Sequence, residues 1–266
     1  MELELAGKVA IVTGGSRGIG KAIARELARE GVRLAIVARD AATLDAAAAE
    51  IAAESGTQVV GIAADTGRDS SVKAMVAGVL QALGGIDILV NAAAQPGGQA
   101  PPPKLAEIDD GNAWPDLNVK VLGYLRCIRE VSPHMAARGG GRIVNISGLA
   151  ARSTGSIIGS MRNVAVAALT KNVADELAAN HITAVVVHPA TTRTERTPAV
   201  IEAVAKRRGL SPEEVESQMN SANLLGRLVD AQEVAQIVAF LCSPKAVAIN
   251  GDAVVVGGGI RGAIYY

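Results

Sequence analysis

Apolar and polar positions follow two rhythms along this chain. Short unbroken apolar runs are separated by longer stretches in which apolar residues recur at helical spacing. "KVAIVTGG" reads as a buried strand, and "GIGKAIARELAREG" after it as a helix closed by Gly31. "RLAIVAR" is the second strand. After Asp40, "AATLDAAAAEIAAESG" predicts an Ala-rich helix with Gly56 as its C-cap. "VVGIAAD" is the third strand, a helix follows over 69–83, and "IDILVNAA" is the fourth strand. Its prolines bar the loop "QPGGQAPPPK" from helix. A long helix is predicted over 112–137, then "GRIVNIS" as strand five, a helix over 157–179 and "ITAVVVHP" as strand six. Residues 190–222 are polar and irregular with helical patches. "DAQEVAQIVAFLCS" is a last helix and "DAVVVGG" a last strand.

Strands without polar alternation, each followed by a helix, require a parallel sheet covered on both faces. The 266 residues favour one α/β domain spanning 1–266, a doubly wound parallel sheet with helices on both sides. No internal repeat or linker divides it.

Composition removes several classes of function. Lys+Arg and Asp+Glu number 26 each, so no basic excess points to nucleic acid or an anionic membrane. No apolar run reaches membrane-spanning length. The start, MELELAGKVAIV, has acids where a signal peptide needs bases. Cys127 and Cys242 form no CxxC and read as packed thiols of a reduced, cytoplasmic protein. His134 and His181 stand alone, so no metal site is expected. His188, at the end of strand six, reads as a strand-end residue with a backbone role rather than a base.

In an open sheet of this kind the ligand lies beyond the C-terminal ends of the strands. Strand one ends in "TGGSRGIG", Thr13 to Gly20, where a helix opens. Gly14, Gly18 and Gly20 permit a tight turn and close approach of backbone to phosphate. Ser16, Arg17 and Ile19 complete that turn, and the helix N-terminus offers free N–H groups to a pyrophosphate. Strand two ends in Ala38-Arg39, without the acid that an NAD site places on the ribose 2′-OH. Arg39 and Arg17 suit a 2′-phosphate instead, so NADP is expected over NAD. Strand three ends in Asp65-Thr66, placed to meet adenine. Strand four ends in Asn91-Ala92-Ala93, small residues that let a ribose lie against the backbone.

Together these segments resemble the short-chain dehydrogenase/reductase family, relatives of the Rossmann fold, over essentially the whole chain. "TGGSRGIG" is similar to the family's TGxxxGxG, and "LVNAAA" to its LVNNAG. "DLNVKVLG" resembles the helix that carries a catalytic Asn, here Asn118. "GRIVNISG" resembles the strand leading to a catalytic Ser, and "HPATTRT" the family's xPGxxxT. The resemblance implies cofactor contacts at Pro189, Thr192 and Thr194, a substrate lid over 190–222, and a homodimer or homotetramer built on the 112–137 and 157–179 helices.

It also implies a Ser, a Tyr and a Lys, and here the pattern breaks. The family's Tyr passes a proton to or from the substrate oxygen, and its Lys lowers the Tyr pKa from about 10 towards neutrality. In this chain Gly148 stands at the Ser position, with Ser147 one residue early. Gly159 stands at the Tyr position and Asn163 at the Lys position. The window from Gly148 to Thr170 contains no Tyr, Lys, His, Asp, Glu or Cys, so no register restores the pair. Its only charges, Arg152 and Arg162, stay protonated. Asn118 and Ser147 are therefore the remaining catalytic candidates, with Asn163 either holding a ribose hydroxyl without charge or satisfied within its helix by a neighbouring backbone group. The two glycines predict a roomier cleft lined by Ser147, Ser153, Thr154, Ser156 and Arg162, the last either receiving an anionic group or enolate or standing as a surface or ion-pair residue.

Three readings follow. The chain is an oxidoreductase with another proton source, or one doing different chemistry, with standard carbonyl reduction not expected. It is a non-catalytic nucleotide sensor or inactive partner subunit. Or the missing hydroxyl comes from the tail "GGGIRGAIYY", through Tyr265 or Tyr266 of a neighbouring subunit.

Overall fold

The computed structural model describes residues 1–95 and 100–260; Tyr265 and Tyr266 lie outside the described residues. Strands β1 (Val9–Thr13), β2 (Arg33–Ala38) and β3 (Val59–Ala63) alternate with helices α1 (Gly18–Arg29), α2 (Ala41–Ser55) and α3 (Asp69–Leu83). Strand β4 (Ile88–Asn91) leads to α4 (Asp110–Asp116), a π-helical stretch Leu117–Leu122, and α5 (Gly123–Ala137). Then come β5 (Gly141–Ile146), α6 (Ile157–Leu177) and β6 (Ile182–Pro189). The last part holds β7 (Thr192–Arg193), α7 (Thr197–Arg208), α8 (Pro212–Asn220), β8 (Val229–Asp230), α9 (Ala231–Cys242) and β9 (Ala253–Val256).

Seven strands form one parallel sheet in the order β3-β2-β1-β4-β5-β6-β9, and β7 pairs with β8 beside it. The strand centres are mostly apolar on both faces because helices cover both, with polar residues such as Asn145 and His188 tied by hydrogen bonds or held at strand ends. In β1, Ala10 and Val12 pack towards α1, α2 and α9, while Val9 and Ile11 pack towards α3, α5 and α6. Local signals set the helix ends. The Asp40 carboxylate accepts the Thr43 N–H at 2.8 Å to cap α2, and Gly56 closes it at φ +70. Cys127 and Cys242 are free and buried, and burial pushes both thiols up to about 12.

Two expected elements gain detail. The helix over 112–137 begins at Asp110 and widens at Leu117–Leu122, where the Gly123 N–H donates to the Asn118 carbonyl across a π turn. The segment 190–222 contains the short β7 and two helices; α7 is closed by Gly209 and α8 begins at a Ser211–Glu214 capping box. Among the described residues no helix is long and apolar enough to cross a membrane.

Candidate active site

The strand order reverses between β1 and β4, and a cleft of about 630 Å³ opens there, at the C-terminal ends of the strands. A second cavity, about 540 Å³, lies at the opposite ends around Gly139–Arg142. The glycine turn and the N-terminus of α1 face the first cleft, so the backbone N–H groups that could hold an anion lie there.

The turn is shaped by its glycines. Gly14 has φ +70, and a Cβ on it would stand 2.9 Å from the Ala92 backbone. A Cβ on Gly20 would stand 2.2 Å from the Gly14 carbonyl oxygen. Both approaches are backbone to backbone, so a side chain would force the turn open. No side chain caps α1, whose first N–H, on Gly18, donates instead to the Glu195 carboxylate at 2.9 Å. The helix terminus thus already holds an anion, supplied by the segment after β7.

Of the cofactor residues expected from sequence, the cleft brings together Gly14, Ser16, Arg17, Gly18, Ile19 and Gly20, then Arg39, Asp65, Thr66, Ala92, Ala93 and Thr194. Ser147 lines it too. Asp40 lies beside them, its carboxyl held below the ordinary carboxylate range by its bonds to Thr43 and, further, by Arg17.

Other expected residues are placed differently. Asn91 is fully buried and donates to Asn145 Oδ1 at 3.0 Å; Asn145 in turn donates to Thr170 Oγ1 at 2.9 Å. That network ties β4 to β5 and α6, so the Asn91 side chain holds the sheet together, while Ala92 and Ala93 line the cleft. Asn118 Nδ2 donates to the Gly67 carbonyl at 3.1 Å, and its Oδ1 accepts from Arg126 at 2.9 Å. Its carboxamide anchors the π stretch to the loop after β3. Asn163 is buried behind Ser147; its carbonyl accepts the Ser147 hydroxyl at 3.0 Å, and its Oδ1 has no protein partner. Pro189 ends β6, and the Thr192 hydroxyl donates to the Ala190 carbonyl at 2.9 Å.

The expected substrate wall is corrected most. Arg162 forms an ion pair with Asp116 of α4, which withdraws it from an incoming anion. The Ser153 hydroxyl donates to the Leu149 carbonyl at 3.1 Å. Ser156 Oγ accepts the Gly159 N–H at 3.0 Å and caps α6. These hydroxyls serve the turn and helix, because a chain entering a helix must satisfy its own N–H groups first. Only Ser147 of the predicted wall lines the cleft.

The sequence reading missed Lys120. It lies on the π stretch, lines the cleft, is 5% exposed, and donates through Nζ to the Ser147 carbonyl at 2.8 Å. Burial pushes its pKa down to about 7; Arg162 works in the same direction and Asp116 against it. The available signal was a lone lysine in the apolar run "NVKVLG", two residues after Asn118. His188 is also buried, and burial, with Arg152 and Lys120, lowers it to about 4 against a hydrogen bond with the Gly148 backbone. Tyr124 donates its hydroxyl to the Ile146 carbonyl at 2.9 Å, and burial raises its pKa.

Comparison with known proteins bears on this geometry as a whole. The family model for short chain dehydrogenase matches residues 8–205. Dehydrogenase/reductase SDR family member 4 of Oryctolagus cuniculus is 37% identical over 261 residues, covering 96% of this chain and 94% of that protein. A putative ketoacyl reductase of Streptomyces coelicolor is 35% identical over 263 residues, covering 95% and 97%. The crystal structure of L-sorbose reductase from Gluconobacter frateurii, complexed with NADPH and L-sorbose, superposes with a TM-score of 0.93 at 28% identity, covering 99% and 100%. With its sheet order, its glycine turn and these relatives in agreement, the chain belongs to the short-chain dehydrogenase family of oxidoreductases.

Proposed function

We propose that this chain is an NADPH-dependent oxidoreductase that works without the tyrosine and lysine of its family. The observation that carries the reading is the Gly18 N–H bond to the Glu195 carboxylate at the mouth of α1. A carboxylate occupies the helix terminus where a pyrophosphate would bind, in a turn too tight for any Cβ at Gly20. Arg39 is exposed at the end of β2 beside Arg17, which suits the 2′-phosphate of NADP. The rest of the dinucleotide then runs along the cleft towards Ala92, Ala93 and Ser147. The unpartnered Oδ1 of Asn163 suits a ribose hydroxyl behind them. The L-sorbose reductase complex with NADPH supports the cofactor assignment by analogy.

The test is a fluorescence titration with NADPH and NADH. NADPH binds more tightly, and Arg39→Ala removes about tenfold of that preference, the scale of one exposed charge-assisted contact. Failure to bind either nucleotide overturns the reading.

A second reading, a non-catalytic nucleotide-binding sensor or partner subunit, is favoured by Gly159 and Asn163 standing where the tyrosine and lysine belong; bound NADPH without turnover on any carbonyl would select it. In either case we propose a cytoplasmic homodimer or homotetramer. Ile157, Met161 and Val164 form an exposed apolar stripe on α6, with Trp114 and Leu125 exposed on α4 and α5. Light scattering on the purified protein checks the mass.

A further inference from the structure

A carbonyl that receives hydride needs a proton on its oxygen, and α6 no longer supplies one. Among the described residues, Lys120 is the only lysine, tyrosine, cysteine or histidine that lines the cleft. The carboxylates there are committed elsewhere: Asp40 to the Thr43 N–H, and Asp65 to the Gly67 N–H at 2.9 Å. Both lie at the ends of β2 and β3, on the side of Arg17 and Arg39. Ser147 gives its hydroxyl proton to Asn163, and Tyr124 gives its own to Ile146.

Lys120 approaches from the other side. The π turn anchored by Asn118 carries its side chain to the end of β5, beside the residue that precedes Gly148. An ammonium carries three protons. Among the described residues the Ser147 carbonyl is the one acceptor bonded to Nζ, so two remain for a ligand.

We propose that Lys120 is the general acid of this cleft, giving an Nζ proton to the oxygen of a carbonyl substrate as its carbon is reduced. The inference rests on the NADPH-dependent reading above. When bound, reduced nicotinamide supplies the hydride. A C–H bond forms at the carbonyl carbon, the π pair moves onto oxygen, and that oxygen takes the proton from Nζ. Lys120 is left as a neutral amine and regains its proton from solvent. The charged and titratable groups facing it are Arg162 from α6, Asp116 from α4 and His188 from β6. The first two are paired with each other, and His188 stays neutral above about 4. An acid with a pKa near 7 is matched to work at neutral pH.

The test has a readout that needs neither nucleotide nor substrate. NMR of protein carrying ¹³C,¹⁵N-lysine is expected to show one side chain titrating near pH 7, absent in Lys120→Met. With NADPH, binding stays within a few-fold of wild type in Lys120→Met and Lys120→Arg. Reduction across a panel of ketones and aldehydes falls about 10²–10⁴-fold in both, since arginine keeps the charge but holds its proton. The wild-type rate declines as pH rises through about 7. Lysines that all titrate above pH 9 overturn the proposal, as does Lys120→Arg with wild-type rates. Wild type that binds NADPH yet reduces nothing overturns it while leaving nucleotide binding intact. Failure to bind NADPH sinks the reductase reading and this proposal with it. Should Lys120→Met not fold, Lys120→Arg both removes the Lys120 signal and tests the rate.

Discussion

The bond between Glu195 and the mouth of α1 makes a quantitative prediction. On the proposed NADPH reading, pyrophosphate would compete with the Glu195 carboxylate for the same Gly18 N–H, and the segment after β7 would have to release before the nucleotide binds. The bond is exposed, so the low range for an anion at a helix N-terminus applies, about 0.3–1 kcal/mol. At about 1 kcal/mol the released form is roughly 15% of molecules, and the apparent Kd is raised about sixfold over the intrinsic value. Glu195→Ala is therefore expected to tighten NADPH binding about two- to sixfold, and Glu195→Gln to fall between, since it keeps an acceptor but loses the charge. Glu202→Gln, an exposed site on α7, serves as control for net charge and leaves Kd unchanged. Fluorescence titration at fixed ionic strength is the assay. Unchanged or weaker binding by Glu195→Ala would refute the competition.

Other expectations follow from single contacts. Gly20→Ala places a methyl 2.2 Å from the Gly14 carbonyl oxygen, so the turn must open; binding should drop at least tenfold and stability by about 1–3 kcal/mol, read as a lower Tm. His188 has its pKa lowered from 6.5 to about 4, so the unfolded chain takes up the proton first as pH falls. Its contribution is whole above pH 6.5 and is lost progressively down to pH 4; His188→Gln should flatten that part of a urea-midpoint profile, and an identical slope would count against it. Rebuilding the family's set with Gly148→Ser, Gly159→Tyr and Asn163→Lys collides with a cap. A Cβ at position 159 lies 2.8 Å from Ser156 Oγ, so the triple variant should lose about 1 kcal/mol. Adding Ser156→Ala to it should cost little more; a full additive loss in thermal melts would show the cap survived.

Much of this protein could be read along the chain. The strands are legible because burial on both faces removes their polar positions, as in β1, and the helix ends because Asp40 and Gly56 satisfy or turn the backbone locally. The glycine turn is legible for the same reason: close approach of backbone at Gly14 and Gly20 admits no other residue, so the requirement appears in the letters themselves. That the stretch from Gly148 to Thr170 holds no tyrosine or lysine is likewise a fact of sequence. What tertiary structure decided is the use of side chains whose partners lie far off. Arg162 looked available for a ligand until Asp116, 46 residues away, was found paired with it. The Asn91 side chain turned out to be tied to Asn145, 54 residues on. Glu195 reaches Gly18 across 177 residues, and Lys120 shows its altered proton affinity only once the fold has stripped water from it. Backbone conformation answers to nearest neighbours and leaves a local signature; desolvation and ion pairing answer to whatever the fold brings close, and leave none.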